Sequence, residues 1–462
     1  CSLEPLALER IAAVLPDHDV RIADLRYDGR LETALGEHRP RACGIACCFT
    51  TEHDVVLNIA RTIKHFDRDI FVFVGGHHPS LCPERFSGNG VDAVVVGEGE
   101  MTASALVACL AEGGDLAKVP GLCVNTSEGQ VRTPPSTLIA DLDRLPLPRR
   151  DLTSRNRHRY FWGFRWPMAL VETSRGCPYR CTFCSVWRFY CGKVRLMTPE
   201  RVIEEIAAAP AEHIFFTDDN FLLSVPRARA IAELLRERGI RKSFAFQSRT
   251  DTVAQHPDVV ELWKEVGLHS VFLGLEKTTE EGLSALHKKG SVEANDAALH
   301  VLNRLGVGYT GNLIVDPDWG EDDFARLRDY VGSRGLFSAS FSILTPLPGT
   351  ILYDNVRDRI VSDACELYDL FHAVLPTKLP LSRFYREFAG LWQTALSCRP
   401  RSKSWNRLIR MAKAVLTGRL PVGLLRQGLR AIREMCDASM YLAAHVRARD
   451  PRTSSAHRGR SA

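Results

Sequence analysis

The chain has 462 residues, 60 lysines and arginines against 55 aspartates and glutamates, a formal net charge of +5 and 45% hydrophobic residues. That balance fits a globular protein of two or three domains and excludes a disordered polyelectrolyte; no nucleic-acid partner is expected. No apolar run approaches the roughly 20 residues of a membrane span and no charged leader opens the chain, so a cytoplasmic protein is expected, its 14 scattered cysteines reading as reduced thiols.

From the amino terminus, Leu6, Leu8, Ile11, Ala12 and Leu15 recur at helical spacing and stop at Pro16. The chain opens on Cys1, and a strand ahead of this helix is expected to lie upstream of the sequence given. Short apolar runs follow at 20–24, 43–48, 70–76 and 92–97, with helical patterns such as 55–64 between them. This is the βα alternation of an open parallel sheet covered on both faces, expected over 1–145. Ligands of such sheets bind beyond the carboxyl ends of the strands. Two of those ends carry glycine, in Gly75-Gly76-His77-His78-Pro79 and Gly97-Glu98-Gly99-Glu100. Glycine there lets a large ligand approach the backbone, though it also serves plain turns.

After a linker at 146–165, a second βα series fills 166–350, with strands expected at 169–172, 213–217, 243–247, 270–276, 310–315 and 338–344. Six units suggest a partial barrel, with its chemistry at the carboxyl ends of the strands. Behind the first strand stand Cys177, Cys181 and Cys184 in a CxxxCxxC array, with Phe183 before the last. Three thiolates in one short loop close three corners of a 4Fe-4S cube and leave one iron open; a zinc knuckle completed by a distant Cys or His is the alternative. Thr198-Pro199-Glu200 marks the start of the next helix, and Cys191 falls outside the spacing as an ordinary thiol. The next strand ends carry Asp218 and Asp219, then Arg249, then Glu276, for which a helix cap or an ion pair across strand ends is the competing reading. Thr345-Pro346-Leu347-Pro348-Gly349-Thr350 reads as a proline-fixed turn.

The cysteine array with its aromatic residue resembles the radical S-adenosylmethionine superfamily. Its position behind a sheet domain bearing GGxH and GEGE resembles the cobalamin-binding branch, whose closing turn TPxPGT is matched at 345–350. The resemblance implies an α/β protein: a doubly wound, Rossmann-like cobalamin domain, a radical S-adenosylmethionine (βα)6 barrel, and a helical carboxyl-terminal region from 351 to 462. It further implies that Cys177, Cys181 and Cys184 ligate a 4Fe-4S cluster and that Phe183 packs beside the adenine of S-adenosylmethionine. Asp218 or Asp219 would pair with the methionyl amino group, Glu276 would lie near the ribose or methionyl part, and Arg249 would balance the carboxylate. Cobalamin would lie across Thr50, Gly75, Gly76, Gly97, Glu98 and Gly99. The DxHxxG motif of other cobalamin proteins does not occur in this sequence, and His77 and His78 read as loop structure or cobalamin side-chain contacts rather than cobalt ligands.

Segments 147–152, 215–226 and 368–381 resemble the hopanoid carbon-3 methylases. That implies methylation of an unactivated carbon of a triterpenoid lipid by way of a 5′-deoxyadenosyl radical and methylcobalamin, with flavodoxin or ferredoxin as electron donor. Oxidation or cyclisation of another natural-product intermediate is the rival reading, and a non-catalytic cobalamin or metal carrier a third. From Arg401 to Arg433 basic residues alternate with apolar ones and no acidic residue intervenes, which suits a helix lying on an anionic membrane as well as a solvated face. Residues from Arg447 onward read as a frayed terminus.

Overall fold

The computed structural model describes residues 1–163, 165–399 and 422–449. In the first sheet β1 (Ala42–Ala46), β2 (Phe71–Gly75), β3 (Ala93–Val95), β4 (Leu122–Thr126) and β5 (Gly129–Arg132) lie side by side in chain order. β1, β2 and β3 are parallel, and the helix His53–Phe66 between the first two buries Val56, Leu57, Ala60 and Ile63 against them. β4 and β5 form an antiparallel hairpin on the far edge, an element the apolar pattern did not announce.

The run at 20–24, expected as a strand, joins no sheet. Arg155 Nη2 donates to the Ile22 carbonyl at 2.7 Å, the Asp24 N–H donates to Asp28 Oδ2 at 2.7 Å, and the Tyr160 hydroxyl donates to Asp24 Oδ2 at 3.2 Å. Side chains thus take backbone groups that a neighbouring strand would otherwise satisfy. Arg155 and Tyr160 come from the segment between the sheets, which is firmly packed: a 3-10 helix spans Arg150–Arg159, and Arg150 and Arg157 both pair with the buried Glu4. The first helix, Leu6–Ala13, in turn reaches the barrel through Arg10, whose guanidinium meets the buried Glu205 at 2.8 Å.

The second sheet opens with β6 (Met168–Val171), after which the short strands β7 (Ser174–Arg175) and β8 (Arg195–Leu196) pair with each other on either side of the cysteine loop. β9 (His213–Phe216), β10 (Ser243–Ser248), β11 (Leu268–Glu276), β12 (Gly308–Val315) and β13 (Ala339–Ile343) complete the six-stranded parallel sheet, ordered β13-β12-β11-β10-β9-β6. Each strand expected there is present to within two residues at either end. Their helices pack behind them on a core in which Phe216, Phe221, Phe244 and Phe246 surround Trp263, whose indole N–H donates to the Ala228 carbonyl at 3.0 Å. The helix Pro199–Ala208 starts as expected, with Thr198 Oγ1 accepting from the Arg201 N–H at 3.3 Å.

Beyond the barrel, the helix Leu381–Ser397 packs on the helix Glu321–Ser333 and on β13, and the helices Val422–Met435 and Ala438–Arg449 follow. Residues 401–421 of the basic segment lie outside the described residues; its remainder is helical, with Arg430 paired to Glu434 at 2.7 Å. Arg447 belongs to the last helix, so the expected fraying does not begin there, and residues 450–462 lie outside the described residues. No described helix is long and apolar enough to cross a membrane.

Candidate active site

The cysteine loop leaves β7 through Gly176, at φ +91°, where any β-carbon would collide with the Lys193 carbonyl oxygen; only glycine lets the chain turn here. Two contacts from outside the loop and one within it hold the loop down. The Thr182 N–H donates to the Leu286 carbonyl at 3.0 Å, the Leu352 N–H donates to the Thr182 carbonyl at 2.9 Å, and the Trp187 indole donates to the Cys181 carbonyl at 3.4 Å. Cys181 is buried and Cys177 and Cys184 are half-buried. Burial pushes all three thiols up, Cys184 to about 12, so without a metal they stay protonated. Among the described residues no three metal-ligating side chains converge on one point. Three cysteines in one short loop, each able to give a thiolate to a separate iron, fit the cluster by donor set and spacing.

Four charged side chains face these cysteines, namely Asp219, Arg249, Glu276 and Lys288. The two adjacent aspartates have different surroundings. Asp218 is wholly buried and accepts from the Thr173 N–H at 3.0 Å, the Thr173 hydroxyl at 2.6 Å and the Ser174 hydroxyl. It therefore fixes the bend between β6 and the cysteine loop. Asp219 instead opens onto the recess, and its carboxyl is raised to about 7 by desolvation, then by the charges of Asp218 and Glu172. Arg249 lays its guanidinium 3.8 Å from the centre of the Tyr179 ring and pairs with Asp251 at 2.6 Å. Glu276 ends β11 at φ +60°, a conformation uncommon outside glycine, directly after a register shift in the strand. Its carboxylate pairs with Lys288 at 2.9 Å, and Gly274 leaves room for that pair, since a β-carbon there would run into both partners. Sequence reasoning did not single out Lys288, whose partner Glu276 lies 12 residues away.

The loops beyond β1, β2 and β3 converge on the same end of the molecule. Thr50 is buried, with Oγ1 3.3 Å from Nδ1 of His78. Phe49 beside it is 68% exposed, an apolar face of the kind a flat corrin ring would cover. The glycines do different work from one another. Gly76, at φ +126°, packs so closely on Cys47 that a β-carbon would overlap the Cys47 carbonyl, so it serves loop packing, not an open approach to a ligand. A β-carbon at Gly75 would make only ordinary contact with Val95, Gly97 takes φ +87° and donates its N–H to Ser80 Oγ at 2.9 Å, and a β-carbon at Gly99 would lie 3.0 Å from the Ile11 side chain. Glu98 points to the barrel: it pairs with Arg175 at 2.9 Å and Arg195 at 2.8 Å and accepts from the Ile139 N–H at 2.7 Å. Burial raises its carboxyl, yet the two guanidinium groups outweigh that and leave it below the ordinary range. Gly76→Val is accordingly expected to displace the Cys47 loop and lose cobalamin uptake while the iron content stays at the wild-type level, as metal and corrinoid analysis of reconstituted protein would show. Unchanged cobalamin uptake would contradict this reading of the loop.

Two family models match this chain, the B12 binding domain over residues 2–107 and the radical SAM superfamily over residues 171–331. The hopanoid C-3 methylase of Methylococcus capsulatus is 35% identical over 398 residues, which cover 85% of this chain and 76% of that protein. The chain belongs to the cobalamin-binding radical S-adenosylmethionine enzymes. The anaerobic magnesium-protoporphyrin IX monomethyl ester cyclase of Synechocystis is also similar, 25% identical over 436 residues, 90% of this chain and 85% of the cyclase. In fold the enzyme resembles TsrM from Kitasatospora setae, a radical S-adenosylmethionine methyltransferase, with a TM-score of 0.63 over 77% of this chain and 75% of that one at 19% identity. The enzyme thus joins a cobalamin domain, a partial (βα)6 barrel and a helical carboxyl-terminal region, and depends on cobalamin and on iron–sulfur and S-adenosylmethionine chemistry. Catalysis by this family sets aside the carrier reading.

Proposed function

We propose that the enzyme methylates an unactivated carbon of a triterpenoid lipid, carbon 3 of a hopanoid. The kinship with the hopanoid C-3 methylase across 85% of the chain carries this reading. In it, Cys177, Cys181 and Cys184 hold the 4Fe-4S cluster, and the loops at Thr50, Gly75 and Gly97 hold the cobalamin in its methyl form. The bound cofactors supply radical generation and methyl transfer. Asp219, half-titrated near neutral pH, in its ionised form accepts a charge-assisted hydrogen bond from the methionyl ammonium of S-adenosylmethionine. Arg249, fixed by Tyr179 and Asp251, faces the methionyl carboxylate, Glu276 with Lys288 the ribose side, and Phe183 the adenine. Asp218 acts only by positioning the loop. A flavodoxin or ferredoxin supplies electrons in the cytoplasm, and the basic segment from Arg401 docks the enzyme on the inner membrane surface where such a lipid resides.

Anaerobic reconstitution with methylcobalamin, methyl-labelled S-adenosylmethionine and diplopterol tests this. The expected result is a methylated hopanoid carrying the label. Cleavage of S-adenosylmethionine with an oxidised or cyclised product and no added methyl would favour the second reading, which the likeness to the cyclase supports. For the membrane contact, exchanging Arg407, Arg410 and Lys413 for glutamine is expected to release the protein from anionic vesicles at low salt, each cation contributing about 1 kcal/mol. Equal vesicle sedimentation of both proteins would leave these charges as a solvated face.

A further inference from the structure

The cysteine loop is gripped at both ends by the other domain. Two residues ahead of Cys177, the buried guanidinium of Arg175 pairs with Glu98, the N-cap residue of the helix beyond β3, at 2.9 Å, with Glu100 in that helix's first turn at 2.5 Å, and with Glu172 at 2.9 Å. Arg195, its partner across the β7–β8 pair, also meets Glu98 at 2.8 Å. Directly after Cys184, the Ser185 hydroxyl lies 2.7 Å from Nε2 of His77, from the loop beyond β2, and the His77 ring stacks on Phe189 at 4.7 Å. We propose that Arg175 and His77 are positioning residues that clamp the cysteine loop between two loops of the cobalamin domain and so set the separation of the two cofactors.

The barrel alone already holds this loop. Leu286 and Leu352 bond it at Thr182, and Trp187 and the Gly176 turn brace it from within, without any contribution from the cobalamin domain. The contacts of Arg175 and His77 are superfluous for tethering the cysteines to the barrel and, together with Arg195–Glu98, bind them to the other domain. The ionic half is also out of balance, with carboxylates at Glu98, Glu100 and Glu172 against guanidinium groups at Arg175 and Arg195. Removing Arg175 leaves the buried Glu98 and Glu100 and the half-buried Glu172 facing one cation, and their repulsion pushes the cobalamin loop away from the barrel. A substrate radical formed at one cofactor and methylated at another is sensitive to that distance, because a displacement of about 1 Å can cost on the order of a hundredfold in rate.

The test uses protein loaded with both centres and reduced to the paramagnetic cluster and cob(II)alamin, whose magnetic coupling falls with the cube of their separation. Arg175→Met and the shape-conserving His77→Phe are each expected to keep full iron and cobalamin content yet show a smaller, broader spin–spin splitting, with the double variant losing the resolved splitting. A wild-type splitting in the double variant would overturn the proposal. Should Arg175→Met fail to load either centre, His77→Phe decides alone, and an unchanged splitting in it counts against the clamp. The proposal rests on the two-cofactor family and not on the hopanoid reading, so a failed diplopterol assay leaves it standing and a failed clamp leaves that assay's meaning intact.

Discussion

Cys181→Ala is expected to bring cleavage of S-adenosylmethionine to 5′-deoxyadenosine down to background, the largest effect of any single substitution in the chain. Cys181 is a buried residue, and the adjoining Thr182 is hydrogen-bonded to Leu286 and Leu352 while the Cys181 carbonyl accepts from Trp187, so the loop keeps its course when the sulfur is removed. What is lost is the chemistry. Burial holds the thiols protonated, and only iron at all three corners compensates for desolvating three thiolates. With two ligands the cube is held at one edge and open to solvent. Cys177→Ala and Cys184→Ala should behave alike, whereas Cys191→Ala should keep full iron content, since Cys191 is exposed and sits at φ +52° outside the loop's contacts. Iron and sulfide analysis alongside chromatography of deoxyadenosine checks this, and wild-type turnover by Cys181→Ala would remove the cluster assignment.

The features legible in the sequence were those whose cause is local. Strand and helix periodicity located all six barrel strands, and the cysteine spacing located the loop at the end of the first, because pleat, pitch and ligand spacing involve residues a few positions apart. Long-range partners were not legible. The apolar run at 20–24 looks like a strand until Arg155, 133 residues away in sequence, takes the Ile22 carbonyl. Glu98 looks like part of a glycine-rich ligand loop until Arg175, 77 residues on, takes its carboxylate. Gly76 looks like an approach point for a ligand, but its constraint comes from the Cys47 backbone on the preceding strand's loop. Lys288 gains its significance only through the turn that lays it beside Glu276 and Cys181. In each case the residue type was informative and its partner was not.

The same limit applies to Asp218 and Asp219, which no pattern separates, and their different surroundings predict opposite phenotypes. Asp218→Ala strips the acceptor from the Thr173 N–H and from two hydroxyls in a site with no access to water, at a cost of about 1–3 kcal/mol for each buried group left unpaired. A lower Tm and poor cluster assembly should follow together. Asp219→Asn should fold and assemble its cluster but bind S-adenosylmethionine roughly ten- to a hundredfold more weakly, the value of a hydrogen bond to a charged group. The pH dependence gives a second readout. With its carboxyl raised from the ordinary 3.8 to about 7 in the folded protein, Asp219 holds a proton that the unfolded chain has released, so its contribution to stability is full below 3.8 and is lost as pH rises from there to 7. Binding a cationic ligand draws on the ionised form, so wild-type affinity for S-adenosylmethionine should climb between about pH 6 and 8, and Asp219→Asn should flatten that slope while Asp218→Ala keeps what affinity it has on the same curve. An Asp219→Asn protein whose affinity and pH slope match wild type would mean that the carboxylate facing the recess does not meet the ligand.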